Sequence, residues 1–110
     1  MSVVKINAIE VPAGMGAELE RRFADRAHTV ESMPGFECFE LLRPLEGETR
    51  YFVYTRWADE ESYRGWLSSQ AFHDGHARAE AQHGRPVAQG ASLLSFEVVQ
   101  HVDGGRRDPG

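Results

Sequence analysis

The chain has 110 residues, the size of one domain, and its 41% hydrophobic and 26% charged residues make an ordinary globular composition with enough apolar side chains for one core. Seventeen acidic against twelve basic residues leave a formal charge of −5, so no basic surplus exists to neutralise phosphates, and nucleic acid is not an expected partner. Cys38 stands alone, which excludes an intrachain disulfide and a Cys-based zinc cluster. No signal-peptide pattern and no apolar run of roughly 20 residues are visible, so the expected location is the cytoplasm, without membrane contact.

Residues 3–11 read as a strand, because β-branched side chains dominate and Pro12 with Gly14 ends the run. Alternation places Val4, Ile6 and Ala8 on one face and Lys5, Asn7, Ile9 and Val11 on the other. Met15, Leu19, Phe23, Ala27 and Val30 recur at helical spacing and predict a helix over 15–31, stopped by Pro34-Gly35. Residues 36–43 and 50–57 read as two strands joined by the polar turn 44–48, a hairpin. Asp59 is a candidate N-cap for a short helix with Tyr63, Trp66 and Leu67 on one stripe. Ser68-Ser69 ends it and leads to a second helical segment over 70–82. After the loop at 84–90, residues 91–102 read as a last strand with Leu94, Phe96 and Val98 on one face. Residues 103–110 read as a disordered tail behind a single domain over 1–102.

The order β-α-β-β-α-β predicts an α+β, ferredoxin-like domain, an antiparallel sheet with its helices on one face. The first and last strands carry apolar side chains on both faces. One helical layer leaves one such face wet, so the sequence predicts a homodimer whose second copy covers it.

The chemistry-bearing residues admit bland readings beside sharper ones. His73 and His76 lie three apart on a predicted helix, a spacing that fits either a metal pair or two solvated histidines. Asn7 fits a backbone-satisfied amide or a functional one. Trp66, Tyr63 and Phe23 fit core positions, and Arg22 and Arg26 fit a solvated helix edge or an anion clamp. No P-loop, GxGxxG or GxSxG motif is present.

At Asn7, Trp66 and His76 the chain resembles the IsdG-type haem-degrading monooxygenases of the antibiotic-biosynthesis-monooxygenase superfamily, which are dimeric α+β barrels. The likeness runs over residues 3–99. It is strongest in VVKINAIEVP (3–12), LLRP (41–44) and GASLLSFEVV (90–99), which are most similar to the MhuD branch. His76 follows Trp66 by ten residues, as in the IsdG branch. In the MhuD branch the His comes one residue sooner, where Gly75 stands here, so the product of ring opening stays open between branches.

The resemblance implies haem as both substrate and cofactor, O2, and electrons from an external donor, either a reductase or a small reductant. It makes His76 the axial ligand of the haem iron, with His73 and His83 as rivals, Asn7 a donor towards the oxygen ligand, and Trp66 the side chain that presses the ring out of plane. Phe23, Phe39, Tyr63 and Phe72 are implied as pocket walls, and Arg22 and Arg26 as partners for the propionates. The implied activity is oxygen-dependent opening of haem to a linear tetrapyrrole with release of iron, serving iron acquisition or haem turnover. Two alternatives share the fold: a cofactor-free monooxygenase on an aromatic polyketide or quinol, and a non-catalytic dimeric haem carrier or sensor.

Overall fold

A computed structural model describes residues 1–26, 31–69 and 90–104, apart from the side chains of Asp25 and Arg26. The described elements run β1 (Val3–Glu10), α1 (Gly16–Arg26), β2 (Phe36–Leu42), β3 (Tyr51–Trp57), α2 (Glu60–Leu67) and β4 (Gly90–Glu97). The strands form one four-stranded sheet in the order β2-β3-β1-β4, antiparallel throughout. This is the ferredoxin-like βαββαβ arrangement. The predicted segment 70–82 and loop 84–90 lie outside the described residues up to Gly90, as does the tail beyond residue 104.

The sheet register separates two faces. Asn7 on β1 pairs with Val53 on β3 and Leu93 on β4, and Lys5 pairs with Thr55 and Ser95. These residues share the helix-covered face with Val3, Ile9, Trp57 and Tyr51. Val4, Ile6 and Ala8 share the opposite face with Phe52, Tyr54, Arg56, Leu94 and Phe96. The alternation read from β1 is therefore the alternation of the fold.

Each helix is tied to one end of the sheet. α1 sits over the Ile9–Tyr51 end. There Leu19 is buried, the Tyr51 hydroxyl donates to Glu20 at 2.6 Å, and a Cβ on Gly16 would come within 2.5 Å of that hydroxyl, so only glycine lets the helix start so close. α2 sits over the Val3–Trp57 end, where Val3, Trp57 and Tyr63 form the buried core with Met33, Phe36, Trp66 and Leu67 packed around it. Trp57 is fully buried. The α2 N-terminus is capped as expected: Ser62 N–H donates to Asp59 at 2.8 Å. Its end is closed by Ser68 and Ser69, whose backbone N–H groups donate to the carbonyls of Arg64 and Trp66.

Gly35 seats α2 against the turn before β2. Its φ is +79°, a region L side chains avoid, and an added Cβ would collide with Ser62. Ala58 N–H donates to the Gly35 carbonyl at 2.7 Å, which closes the same corner.

Several boundaries differ from the sequence reading, most of them by one residue: β1 ends at Glu10, α1 starts at Gly16, β3 starts at Tyr51 and β4 starts at Gly90. The first helix does not reach Glu31, which lies in a turn, although residues 27–30 are outside the described set. β2 stops at Leu42 rather than residue 43, since Leu42 is the last residue to find a partner, Phe52, on β3. β4 ends at Glu97 rather than residue 102, because Glu97 already faces Val3, the first residue of β1. One further bond, from Val98 N–H to the Ser2 carbonyl at 2.9 Å, finishes the ladder. Val99 and Val102 consequently lie exposed.

Candidate functional site

Between the ends held by α1 and α2, the helix-covered face has a central strip. On β1 it runs from Lys5 to Ile9, about 13 Å of strand. Asn7 stands at its middle, half-buried, and its side chain makes no hydrogen bond to any described residue. Its neighbour on β4, Leu93, is 58% exposed on the same face. A half-buried amide with unused hydrogen-bonding capacity beside an exposed leucine is an arrangement that a ligand completes.

Two aromatic groups stand on this face. On the α1 side, Phe23 stacks on Phe39 of β2, with centroids 6.3 Å apart. On the α2 side, Trp66 lies 5.6 Å from Trp57 and 6.4 Å from Tyr63, and Tyr63 meets Trp57 edge-on at 5.9 Å. Helical spacing explains this second group, because Tyr63 and Trp66 are three residues apart and fall on one stripe. The rigid Trp57 beneath them holds the Trp66 ring in place.

Charge is confined to the edges. Arg22, mostly buried, donates to Glu18 at 2.9 Å across one helical turn. Arg43 pairs with Glu20 at 2.5 Å, and this fork with the Tyr51 hydroxyl pulls the Glu20 carboxyl down to about 2. The same carboxylate raises the Tyr51 phenol. A cavity of about 280 Å³ lies among Glu20, Leu41, Arg43 and Tyr51, beside the α1 end of the strip. On the α2 side, Lys5 is buried and its ammonium pairs with Glu60 at 2.7 Å, which holds the Glu60 carboxyl below its ordinary range. Burial pushes the Tyr63 phenol up, with a smaller contribution from Glu60.

The structure thus assembles Asn7, Phe23, Phe39, Tyr63, Trp66 and Arg22 around one face of the sheet. His76, its rivals His73 and His83, and Phe72 lie outside the described residues, as does the side chain of Arg26. Among the described residues no cluster of three or more His, Cys, Asp or Glu is present, and no helix is long and apolar enough to cross a membrane. Sequence reasoning missed two members: Trp57, the floor of the aromatic group, and the Lys5–Glu60 pair. The signal for Lys5 was present, since it is the chain's only lysine and alternation put it on the same face as Asn7.

Residues 2–78 match the family model described as antibiotic biosynthesis monooxygenase. The chain is 59% identical over 106 residues to a mycobilin-producing heme oxygenase of Mycobacterium tuberculosis, covering 94% of this chain and 95% of the relative. It is 33% identical over 77 residues to a heme-degrading monooxygenase of Bacillus cereus, covering 68% and 71%. The solved structure of the heme degrader MhuD from Mycobacterium tuberculosis, with two hemes bound in its active site, superposes with a TM-score of 0.79 at 58% identity, covering 92% of this chain and 99% of that one.

Proposed function

This chain belongs to the antibiotic biosynthesis monooxygenase family, and within it we infer that the chain is a haem-degrading monooxygenase, a haem oxygenase of the mycobilin-producing kind. The observation that carries the reading is the 59% identity to such an enzyme over 94% of the chain. The geometry supports it. A flat, largely apolar macrocycle suits a strip walled by Phe23–Phe39 on one side and Tyr63–Trp66 on the other, with one free amide at its centre. A carrier or a cofactor-free oxygenase on the same fold is the weaker reading, because the likeness to haem degraders stands at 58–59% identity, whereas a cofactor-independent oxygenase of Streptomyces nogalater, which also matches 92% of the chain, is only 25% identical.

Haem is the substrate, and when bound it supplies the iron at which O2 is activated with electrons from an external donor. The protein contributes position and shape. Asn7 is an acceptor-and-donor amide at the centre of the strip, and its N–H orients the polar reacting centre of the complex by hydrogen bonding. Trp66, braced by Trp57 and Tyr63, gives a rigid surface that bends the ring. His76 is the proposed axial ligand. Phe23, Phe39, Tyr63 and Phe72 exclude water from the ring faces. Arg22 and Arg26 take the propionates, with Arg22 sharing its guanidinium with Glu18.

The face opposite the helices supports the homodimer. Ile6, Tyr54, Phe52 and Leu94 are only half-buried there, and Phe96 is 52% exposed. Val4 and Ala8 are already buried there, and the remaining partly exposed apolar side chains are covered most simply by a second copy of the same face. The single cysteine is in keeping with a cytoplasmic location.

The site assignment is tested by two substitutions. His76→Ala is expected to abolish the histidine-type haem spectrum, and its survival would move the ligand to His73 or His83. Asn7→Ala is expected to leave haem bound and slow its breakdown at least about tenfold. Unchanged turnover would reject the role given to the amide.

A further inference from the structure

We propose that Lys5 is a positioning residue: its buried ammonium, paired with the more exposed Glu60, sets where α2 sits along β1, and so where the Trp66 ring stands relative to Asn7. The proposal rests on the haem-degrading reading for its catalytic consequence.

The Lys5 side chain is 6% exposed, and its surroundings are built for a charge. Its ammonium donates to Glu60 at 2.7 Å and to Ser95 on β4 at 2.5 Å, and it lies 4.9 Å from the Tyr63 ring centroid, a cation–π distance. Thr55 Oγ1 donates to the Lys5 carbonyl at 3.2 Å, which pins the strand beneath. One side chain thus joins β1, β4 and two residues of α2.

An apolar side chain would fill this space without a desolvation cost. Ion pairs with a desolvated partner are poor sources of stability, and their attested use is in fixing register; here the desolvated partner is Lys5. Apolar contacts between a helix and a sheet slide, whereas a charged hydrogen bond at 2.7 Å has one position. The lever is short. Glu60 opens α2 and Trp66 follows six residues later, about 9 Å along the axis. Asn7 follows Lys5 by two residues on the same face, about 7 Å away. A 10° tilt of α2 about its first turn moves Trp66 by about 1.5 Å. Misplacement on that scale costs up to about a hundredfold in rate.

The test compares Lys5→Met and Glu60→Gln with Arg64→Ala as control. Arg64 also reaches Glu60, at 3.3 Å, but it is 75% exposed and carries no positional load. Two readouts are taken. The first is near-ultraviolet circular dichroism of the ligand-free protein, which reads the Trp57–Trp66 pair at 5.6 Å. The second is kcat and KM for haem breakdown. The expected result is an altered tryptophan signal in both test variants, with kcat lower by tenfold to a hundredfold and KM within about threefold. Arg64→Ala should match wild type in both. A lowered melting temperature with wild-type dichroism and kcat would overturn the proposal, leaving Lys5 a structural residue only. If Lys5→Met does not fold, Glu60→Gln decides, since it keeps the side-chain shape and Glu60 is 42% exposed. Failure of the wild-type protein to take up haem would overturn the functional reading instead. The dichroism would then still decide whether the pair places Trp66.

Discussion

Gly35→Ala tests how α2 is seated, and its cost can be worked from the structure. Gly35 has a φ of +79°, and placing an L residue there costs about 1–2 kcal/mol. Loss of chain freedom in the unfolded state returns about 0.4–1 kcal/mol of that. The new Cβ collides with the Cβ and Oγ of Ser62. Turning Ser62 aside breaks its 2.7 Å bond to the Asp59 carboxylate, worth about 0.5–1.5 kcal/mol at this exposed cap. A rotamer change cannot move the Ser62 Cβ, so the helix must also shift. The expected destabilisation is about 2 kcal/mol or more, read as a lower urea midpoint at unchanged m-value. Gly35→Ala combined with Ser62→Gly removes the collision and leaves the backbone penalty at Gly35 beside the separate cost of Ser62→Gly, which loses the Asp59 bond and puts a glycine in the helix. The pair should show a coupling of about 1 kcal/mol in a double-mutant cycle. A loss under about 0.5 kcal/mol, or no coupling, would refute the claim that this corner seats the helix.

Two further predictions concern charge and assembly. Glu20 is held at about 2 in the folded protein against an ordinary 4.5, first by its Arg43 bonds and then by the Tyr51 hydroxyl. A depressed carboxylate contributes stability above about 4.5 that is lost as pH falls towards about 2. The melting temperature should therefore drop across that window, and Glu20→Gln should flatten the drop. A variant with the wild-type pH slope would remove Glu20 from the account. Phe96→Glu places a charge on the open apolar face. It should shift the mass in solution from two 12.3 kDa chains to one, measured by light scattering, and an unchanged mass would show that this face is not the interface.

Much of the fold was legible because short-range rules govern it. The alternation of Val4, Ile6 and Ala8 against Lys5, Asn7 and Ile9 needs only the period of a strand, and the register keeps it. Asp59 is a cap for local reasons, and it caps. The misplaced end of β4 is a non-local matter. Val98, Val99 and Val102 have strand-forming side chains, but β1 begins at Val3 and offers them nothing to pair with. Helical spacing extends the first helix too far for a similar reason. Glu31 lies in the turn that returns the chain to β2, and helical spacing does not register a turn imposed by the sheet.

The candidate site residues stand out one by one in the sequence, but their contacts with one another do not. Asn7 stood out as a polar amide in an apolar strand, and Trp66 stood out on a helix stripe. Tertiary structure supplied the Trp57 floor beneath Trp66 and the Glu60 partner of Lys5, which lies 55 residues away in the chain. Pairings across that distance leave no periodic trace.

A haem-degrading enzyme must both bind haem and consume it. The direct measurement is a haemin titration of the purified ligand-free protein, followed in the visible spectrum, with ascorbate then added in air and catalase present to remove free peroxide. The account predicts saturable binding with a shifted Soret band, then loss of that band with release of chelatable iron. A stable Soret band under O2 and reductant would contradict it and identify a haem carrier, and no saturable binding at all would contradict it more completely.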